Sequence, residues 1–223
     1  MKKTMKFSIP IIITIIMITF ITCSPSRSSE TTASSSDSSV NITSTSEISQ
    51  TYEIGAIGPG GGIIFYRNLD GFIMTDTGEK AYYLEVAPVD FTGLSWATYE
   101  YNPDYGGVYT YKDISDTEHE IGTGRKNTAL ILALDPDAPA ALACKNYSNN
   151  GKDDWFLPSL DELSEIYRRR SQVGMGREIH WSSTETEYAI PKNFAYIQNF
   201  ANGDKLGNFV KRNEYYVRPI RAF

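Results

Sequence analysis

Hydrophobic and polar positions divide the chain into three segments. Residues 1–22 join a basic start to an apolar run that carries no charge. Residues 23–50 contain almost no apolar side chains, whereas residues 51–223 alternate short apolar stretches with polar turns. Only the last pattern is typical of a folded domain. We therefore expect one globular domain over 51–223, preceded by an unstructured segment.

Within this domain, β-branched and aromatic stretches predict strands, and a longer stretch of helix formers predicts a helix. The helical stretch, 127–147, contains Pro136, which should break it into two pieces. The order of elements predicts an α+β fold with two main helices and a mostly antiparallel twisted sheet. The predicted strands follow the glycines of 58–62 and cover residues 81–88, 178–185, 193–200 and 215–223.

The stretch DWFLPSLDELSEIY, residues 154–167, predicts a capped helix. Ser159 and Glu162 have the spacing of a capping box. Leu160, Leu163, Ile166 and Tyr167 share one helical face, and Asp161, Glu162 and Glu165 lie on the other. We therefore interpret the acidic residues as helix-stabilising groups rather than as catalysts.

Two glycine-containing stretches invite comparison with phosphate-binding loops. Residues 58–66, GPGGGIIFY, run into β-forming residues instead of a helix, so a glycine turn before a strand is favoured. Residues 122–128, GTGRKNT, lack the spacing and the Lys-Ser/Thr pair of a P-loop. Asp135 and Asp137 could bind a hard cation or cap a turn.

The N-terminal segment predicts export and anchoring. A basic start followed by an apolar run too short to span a bilayer is typical of a secretory signal. The run ends at Cys23, and here it resembles a bacterial lipoprotein signal, which implies lipidation of Cys23. The alternative is ordinary cleavage and a soluble secreted protein. Residues 23–50 would be a Ser/Thr-rich tether holding the domain about 30 Å from the anchor.

Net charge bears on the class of partner, and cysteine content bears on disulfide formation. Without the lysines of residues 1–22, the chain has 18 basic and 27 acidic side chains, a net charge of −9. Binding to nucleic acid is therefore disfavoured. With Cys23 lipidated, Cys144 is the only thiol left in the mature chain, so no internal disulfide can form, and Cys144 is either a buried small side chain or a reactive thiol.

Seven phrases occur in order along the domain: IGxxGPGGGIIFY, YLEVAP, IGTGRKNT, DWFLPSLDEL, HWSSTE, FANGD and YVRPIRAF. Together they resemble the domain family named after the C-terminal domain of the Legionella collagen-like adhesin. This resemblance, over about residues 52–223, implies a C-type-lectin-like fold shared with formylglycine-generating enzymes. It also implies an envelope lipoprotein that contacts the membrane through its lipid, at the outer membrane or cell surface.

The chemistry-bearing residues favour a non-catalytic binding module. The family resemblance implies that a formylglycine-generating enzyme would need two cysteines, whereas the mature chain keeps only the Cys144 thiol. His119 has no HExxH partner, His180 lies far along the chain, and no GxSxG elbow occurs. The sugar-chelating tripeptides of calcium-dependent lectins are also absent. We expect no cofactor, no metal and no catalytic residue, and an extracellular glycan or protein as ligand. The alternatives are a structural or assembly lipoprotein, as a monomer or an oligomer, and a formylglycine-generating-enzyme-like catalyst.

Three groups of residues are candidate ligand contacts. The first is a tyrosine-rich loop at 99–111, which could instead be an oligomer interface or pack on its own domain. The second joins the HWSSTE strand, which could instead be buried, to the turn at 201–204. The third is an arginine patch for sulfated polysaccharide, which could instead be a solvated helix end. The candidate residues are Tyr105 and Tyr109; Trp181, Ser182, Ser183, Glu185, Asn202 and Asp204; and Arg168, Arg169, Arg170 and Arg177.

Overall fold

A computed structural model describes residues 50–187 and 192–223, with only the backbone described for Tyr105. The predicted export signal, the predicted lipidation site Cys23 and all of the tether except Gln50 lie outside these ranges. In the described part of the chain, no helix combines the length and the apolar character needed to cross a membrane.

Among the described residues, ten strands and three α-helices confirm the α+β class. The helical stretch breaks between Asp135 and Ala138, as Pro136 predicts, so these residues contain three α-helices where two main ones were expected. The strands are β1 Ile63–Ile73, β2 Lys80–Val86, β3 Phe91–Leu94, β4 Glu100–Asn102, β5 Val108–Thr110, β6 Ile179–Glu185, β7 Phe194–Asn199, β8 Lys205–Val210, β9 Tyr215–Val217 and β10 Ile220–Ala222. The helices are α1 Gly124–Leu134, α2 Pro139–Lys145 and α3 Leu160–Arg168.

The strands form three sheets. β1, β2 and β10 make an antiparallel sheet, and β4 pairs with β5 alone. The third sheet has the order β3-β9-β6-β7-β8 and is antiparallel except between β6 and β9. The closing stretch 215–223, predicted as one strand, is therefore two strands in different sheets. Pro219, which has no backbone N–H to donate, lies at the break.

Helix α3 begins as the sequence predicts. The Ser159 side chain accepts from the Glu162 N–H, and the Glu162 carboxylate accepts from the Ser159 N–H at 2.8 Å, which completes the capping box. Leu163 and Ile166 are fully buried against the β1-β2-β10 sheet. A second core, centred on Trp96, Ile131, Leu157, Trp181, Ile197 and Val217, lies between helices α1 and α2 and the five-stranded sheet.

Candidate functional site

The tyrosine-rich loop is a short β-hairpin. β4 and β5 pair in register, with Tyr101 opposite Tyr109. A single 3-10 turn, Pro103–Tyr105, connects the strands, and the Asn102 side chain caps it by accepting from the Asp104 N–H at 3.0 Å. Gly106 has a φ of 74°, a conformation that glycine adopts without steric strain. Local turn chemistry therefore closes the hairpin.

Aromatic rings form a continuous surface on this hairpin. The Tyr109 ring centroid lies 5.3 Å from that of Tyr99 and 5.4 Å from that of Tyr101. Tyr99, Tyr101 and Tyr109 nevertheless remain 49%, 60% and 37% exposed. The Arg212 guanidinium lies 4.7 Å from the Tyr109 ring centroid and its Nη1 donates to the Tyr111 hydroxyl at 3.4 Å. Large exposed aromatic side chains in contact with one another are typical of binding surfaces.

A cavity opens beside these rings. Its volume is about 370 Å³, within the range of small-ligand sites. It combines apolar surface from Val108 and the tyrosines with amide and hydroxyl groups from Asn102, Thr110 and Asn193. The lining residues are Asn102, Val108, Tyr109, Thr110, Tyr111, Lys192 and Asn193.

Buried polar groups hold both roots of the hairpin. At its start, the Asp135 carboxylate accepts from the Thr98 N–H at 2.7 Å and from its hydroxyl at 2.8 Å. From the sequence, Asp135 could bind a cation or cap a turn. The structure shows that its carboxylate instead accepts hydrogen bonds from Thr98. At its end, the Glu185 carboxylate accepts from the Ile114 N–H at 3.2 Å, and Lys211 Nζ donates to the Lys112 carbonyl at 3.2 Å.

Glu185 and Lys211 form a buried ion pair directly beneath the hairpin. The Lys211 side chain is fully buried, and its ammonium group lies 4.7 Å from the Trp96 ring centroid. Burial raises the pKa of Glu185 and lowers that of Lys211, in each case against the attraction of the other. The hairpin is therefore an exposed surface on a fixed base.

The HWSSTE strand is in the core rather than on a surface. Trp181, Ser182 and Ser183 have no exposed area and Glu185 is 3% exposed. Trp181 donates to the Leu94 carbonyl at 3.0 Å, and the Ser182 hydroxyl donates to the Tyr196 carbonyl at 2.9 Å. Ser183 Oγ accepts from Asn127 Nδ2 at 3.2 Å. The buried-strand alternative is therefore the observed one, and among these residues only Glu185 acts on the hairpin, from below.

Asn202 and Asp204 lie in the exposed turn between β7 and β8. The Asn202 side-chain amide donates to the Asp204 carboxylate at 2.6 Å, as expected of a polar hairpin turn. Asn193, in the tyrosine cavity, precedes β7, whereas this turn follows it. The six residues of β7 separate the two places by about 20 Å. The structure thus does not bring the turn and the tyrosine hairpin into one site.

The four predicted arginines are exposed, but three of them line two separate depressions and Arg168 lines neither. Arg170 and Arg177 line a depression of about 380 Å³ together with Phe200 and Ala201. Arg169 lines another, of about 230 Å³. Arg168 forms an ion pair with Glu165. Only Arg170 and Arg177 are therefore placed to act on one ligand.

The remaining candidates for chemistry are either paired with a carboxylate or buried. His119 Nε2 lies 2.5 Å from a Glu187 carboxylate oxygen, and His180 Nε2 lies 3.1 Å from Asp90 Oδ1. Cys144 is buried, which raises the pKa of its thiol. Among the described residues, no cluster of three His, Cys, Asp or Glu side chains could hold a metal ion.

The glycine-rich turn at 58–62 encloses a carboxylate of the protein itself. The Glu85 carboxylate, fully buried in β2, accepts from the Gly60 N–H at 2.8 Å and the Gly62 N–H at 2.9 Å. Arg221 Nη1 pairs with Glu85 at 2.7 Å and the same guanidinium holds Asp154 in a bidentate contact at 2.7 and 2.9 Å. This buried centre was not predicted from the sequence. The signal that could have indicated it is the glycine-rich turn at 58–62 together with a Glu in a predicted apolar strand.

Comparison with known proteins gives a distant likeness to a solved structure. No family model matches the chain, and no curated protein matches it. Among solved structures, it is similar to a fimbrial protein from Bacteroides ovatus, with 15% identity and a TM-score of 0.44. The match covers 74% of this chain and 45% of the fimbrial chain, so this chain spans less than half of that protein's length. A likeness this distant transfers neither mechanism nor ligand to this chain.

Proposed function

We propose that the domain is a non-catalytic ligand-binding module of an exported, lipid-anchored protein, and that it binds a glycan through the tyrosine hairpin. The observation that carries this proposal is the exposed set of contacting rings, Tyr99, Tyr101 and Tyr109, beside a cavity lined in part by amide and hydroxyl groups. A sugar ring has apolar faces that pack on aromatic rings and hydroxyl groups around its edge. The hairpin offers a partner for both.

The fixed roots of the hairpin support the same function. Asp135 holds Thr98, and the buried Glu185–Lys211 pair holds residues 112–114. A loop already ordered before binding loses less conformational entropy when its ligand arrives. Rigid presentation of aromatic side chains is therefore compatible with useful affinity from a small contact area.

The fold and location belong to the same proposal. The C-type-lectin-like fold that the Legionella-adhesin resemblance implies is part of this proposal, and the capped helix α3 and the closing strand β10 are compatible with it. Since the sequence lacks the calcium-chelating tripeptides, binding at the hairpin would be independent of calcium. Lipidation of Cys23 would anchor the protein, and residues 24–50 would serve as its tether. Mass spectrometry of the mature N-terminus tests this anchoring. We expect acyl chains on the wild-type protein and none on Cys23→Ala.

A glycan array probed with the full-length protein tests the binding function. We expect saturable, calcium-independent binding that the double substitution Tyr101→Ala, Tyr109→Ala weakens about tenfold or more. Tyr82→Ala is the matched control, because Tyr82 is 40% exposed on β2 and distant in sequence from the hairpin. Absence of glycan binding, or equal loss in both variants, would refute the proposal.

Self-association is the competing use of the same surface. Exposed tyrosines also suit an interface between copies, which is the assembly function considered from the sequence. Light scattering across the micromolar range separates the two. A dimer or trimer that the hairpin substitutions convert to monomer, together with no glycan binding, would favour assembly.

A further inference from the structure

A second cavity lies along helix α1, and it shares no lining residue with the tyrosine hairpin cavity. Its volume is about 320 Å³, and most of its surface is apolar. This size and character are typical of small-molecule sites. The lining residues are Asp76, Arg125, Thr128, Ala129, Leu132, Lys145, Asp154, Trp155 and Phe156.

The apolar wall comes from one face of α1. Arg125, Ala129 and Leu132 are spaced so that they follow one another along a single side of the helix. Ala129 lines the cavity and is exposed to solvent, and Leu132 is half-buried. Trp155, which is 1% exposed, adds the edge of an otherwise buried indole. An apolar ligand body would cover surface that the fold leaves open to water.

The charged groups at the rim are not equivalent. Asp76 holds Arg125 in a bidentate ion pair at 2.7 and 3.1 Å. Asp154 is likewise engaged, by the guanidinium of Arg221. Lys145, at the end of α2, is exposed, and its ammonium group has no carboxylate partner among the residues that the structure describes. The rim therefore offers one unsatisfied positive charge and no unsatisfied negative one.

We propose that this cavity binds a small organic anion with an apolar body, of the class of aryl or medium-chain carboxylates. The body packs on Ala129, Leu132 and the edge of Trp155, and the carboxylate pairs with Lys145. The proposal is independent of glycan binding at the hairpin, because the two cavities have separate walls.

Nuclear magnetic resonance titration of the full-length protein with 1-naphthoate tests this site. The readout is the indole N–H resonance of Trp155, which donates to the Lys152 carbonyl at 3.1 Å. We expect a saturable shift of Trp155, with the resonances of Trp96 and Trp181 unchanged. The uncharged 2-(1-naphthyl)ethanol and the cationic 1-naphthylmethylamine should bind more weakly, in that order.

Three variants separate the site from general adsorption. Lys145→Gln should weaken 1-naphthoate binding about fivefold, as expected for loss of one exposed charge pair. Ala129→Phe fills the cavity from an exposed helix position and should abolish the shift while Trp96 and Trp181 stay native. Lys205→Gln, an exposed lysine paired with Asp161, should have no effect. No saturable shift at Trp155, or equal affinity of wild type, Lys145→Gln and Ala129→Phe, overturns the proposal.

Discussion

Glu162 makes the stability of the fold depend on pH in a way that one substitution isolates. Its side chain is fully buried and accepts from the Ser159 N–H at 2.8 Å and the Gly122 N–H at 2.9 Å. Burial raises the pKa of Glu162 to about 7, against these hydrogen bonds, which favour the carboxylate. The replacement Glu162→Gln keeps the shape but removes the ionisable proton.

The sign and size of the effect follow from linkage. Because the pKa of Glu162 is higher in the folded than in the unfolded chain, its contribution to stability is fully present below pH 4.5 and is lost as pH rises to about 7. The difference between the two pKa values corresponds to about 3 kcal/mol in the free energy of unfolding. Glu162→Gln should remove this dependence and should also lower stability by about 1–3 kcal/mol at low pH, since its NH₂ group faces a backbone N–H.

Denaturant unfolding of both proteins at intervals from pH 4.5 to 8 measures the effect. The difference in unfolding free energy between wild type and Glu162→Gln cancels the titration of all other groups. Glu165→Gln, on the same helix but only half-buried, is the matched control for removal of a carboxylate from α3. We expect the stability advantage of the wild type over Glu162→Gln to fall as pH rises. An advantage that stays constant or grows with pH would show that the backbone N–H donors affect the pKa of Glu162 more than burial does, and would refute the reasoning.

Three further predictions concern the buried frame. Gly60→Ala should lower the free energy of unfolding by about 1–3 kcal/mol in denaturant titrations, because its new Cβ would lie 2.7 Å from the Glu85 carboxylate; no loss would contradict the enclosed carboxylate. Lys211→Met should lower it by about 3–5 kcal/mol by leaving Glu185 buried without its close ion-pair partner, and Lys211→Met with Glu185→Leu should recover much of that loss; a deficit in the double variant equal to that of Lys211→Met would contradict the pairing. Cys144 should react with a thiol reagent only after unfolding, so rapid labelling of the native protein would contradict its burial.

Local signals in the sequence predicted much of the secondary structure. The capping box at Ser159 and Glu162 identifies the start of α3, and Pro136 identifies the break between α1 and α2. These features depend on residues within one or two helical turns of each other. β6 and β7 were predicted from alternation and β-branched content for the same reason.

Contacts between distant segments could not be predicted in this way. The sequence placed Glu162 on the polar face of α3, yet Gly122, 40 residues earlier, covers it and donates to its carboxylate. Glu85 and Arg221 are 136 residues apart and form one buried centre with the glycine turn. Periodicity reports which side of an element is apolar, but it does not report a buried acid that is satisfied by another part of the chain.

Several of the residues that suggested the family resemblance are buried, whereas the proposed binding surface on the hairpin is exposed. Trp155, Glu162, Trp181 and Arg221 all lie in the phrases quoted for that resemblance, and each is at most 5% exposed. A ligand can contact only exposed groups, and among the described residues the largest exposed set of contacting rings lies outside these phrases, between Thr98 and Lys112. Under the proposed function, substitution of the exposed tyrosines of this hairpin should therefore change binding and leave both cores intact.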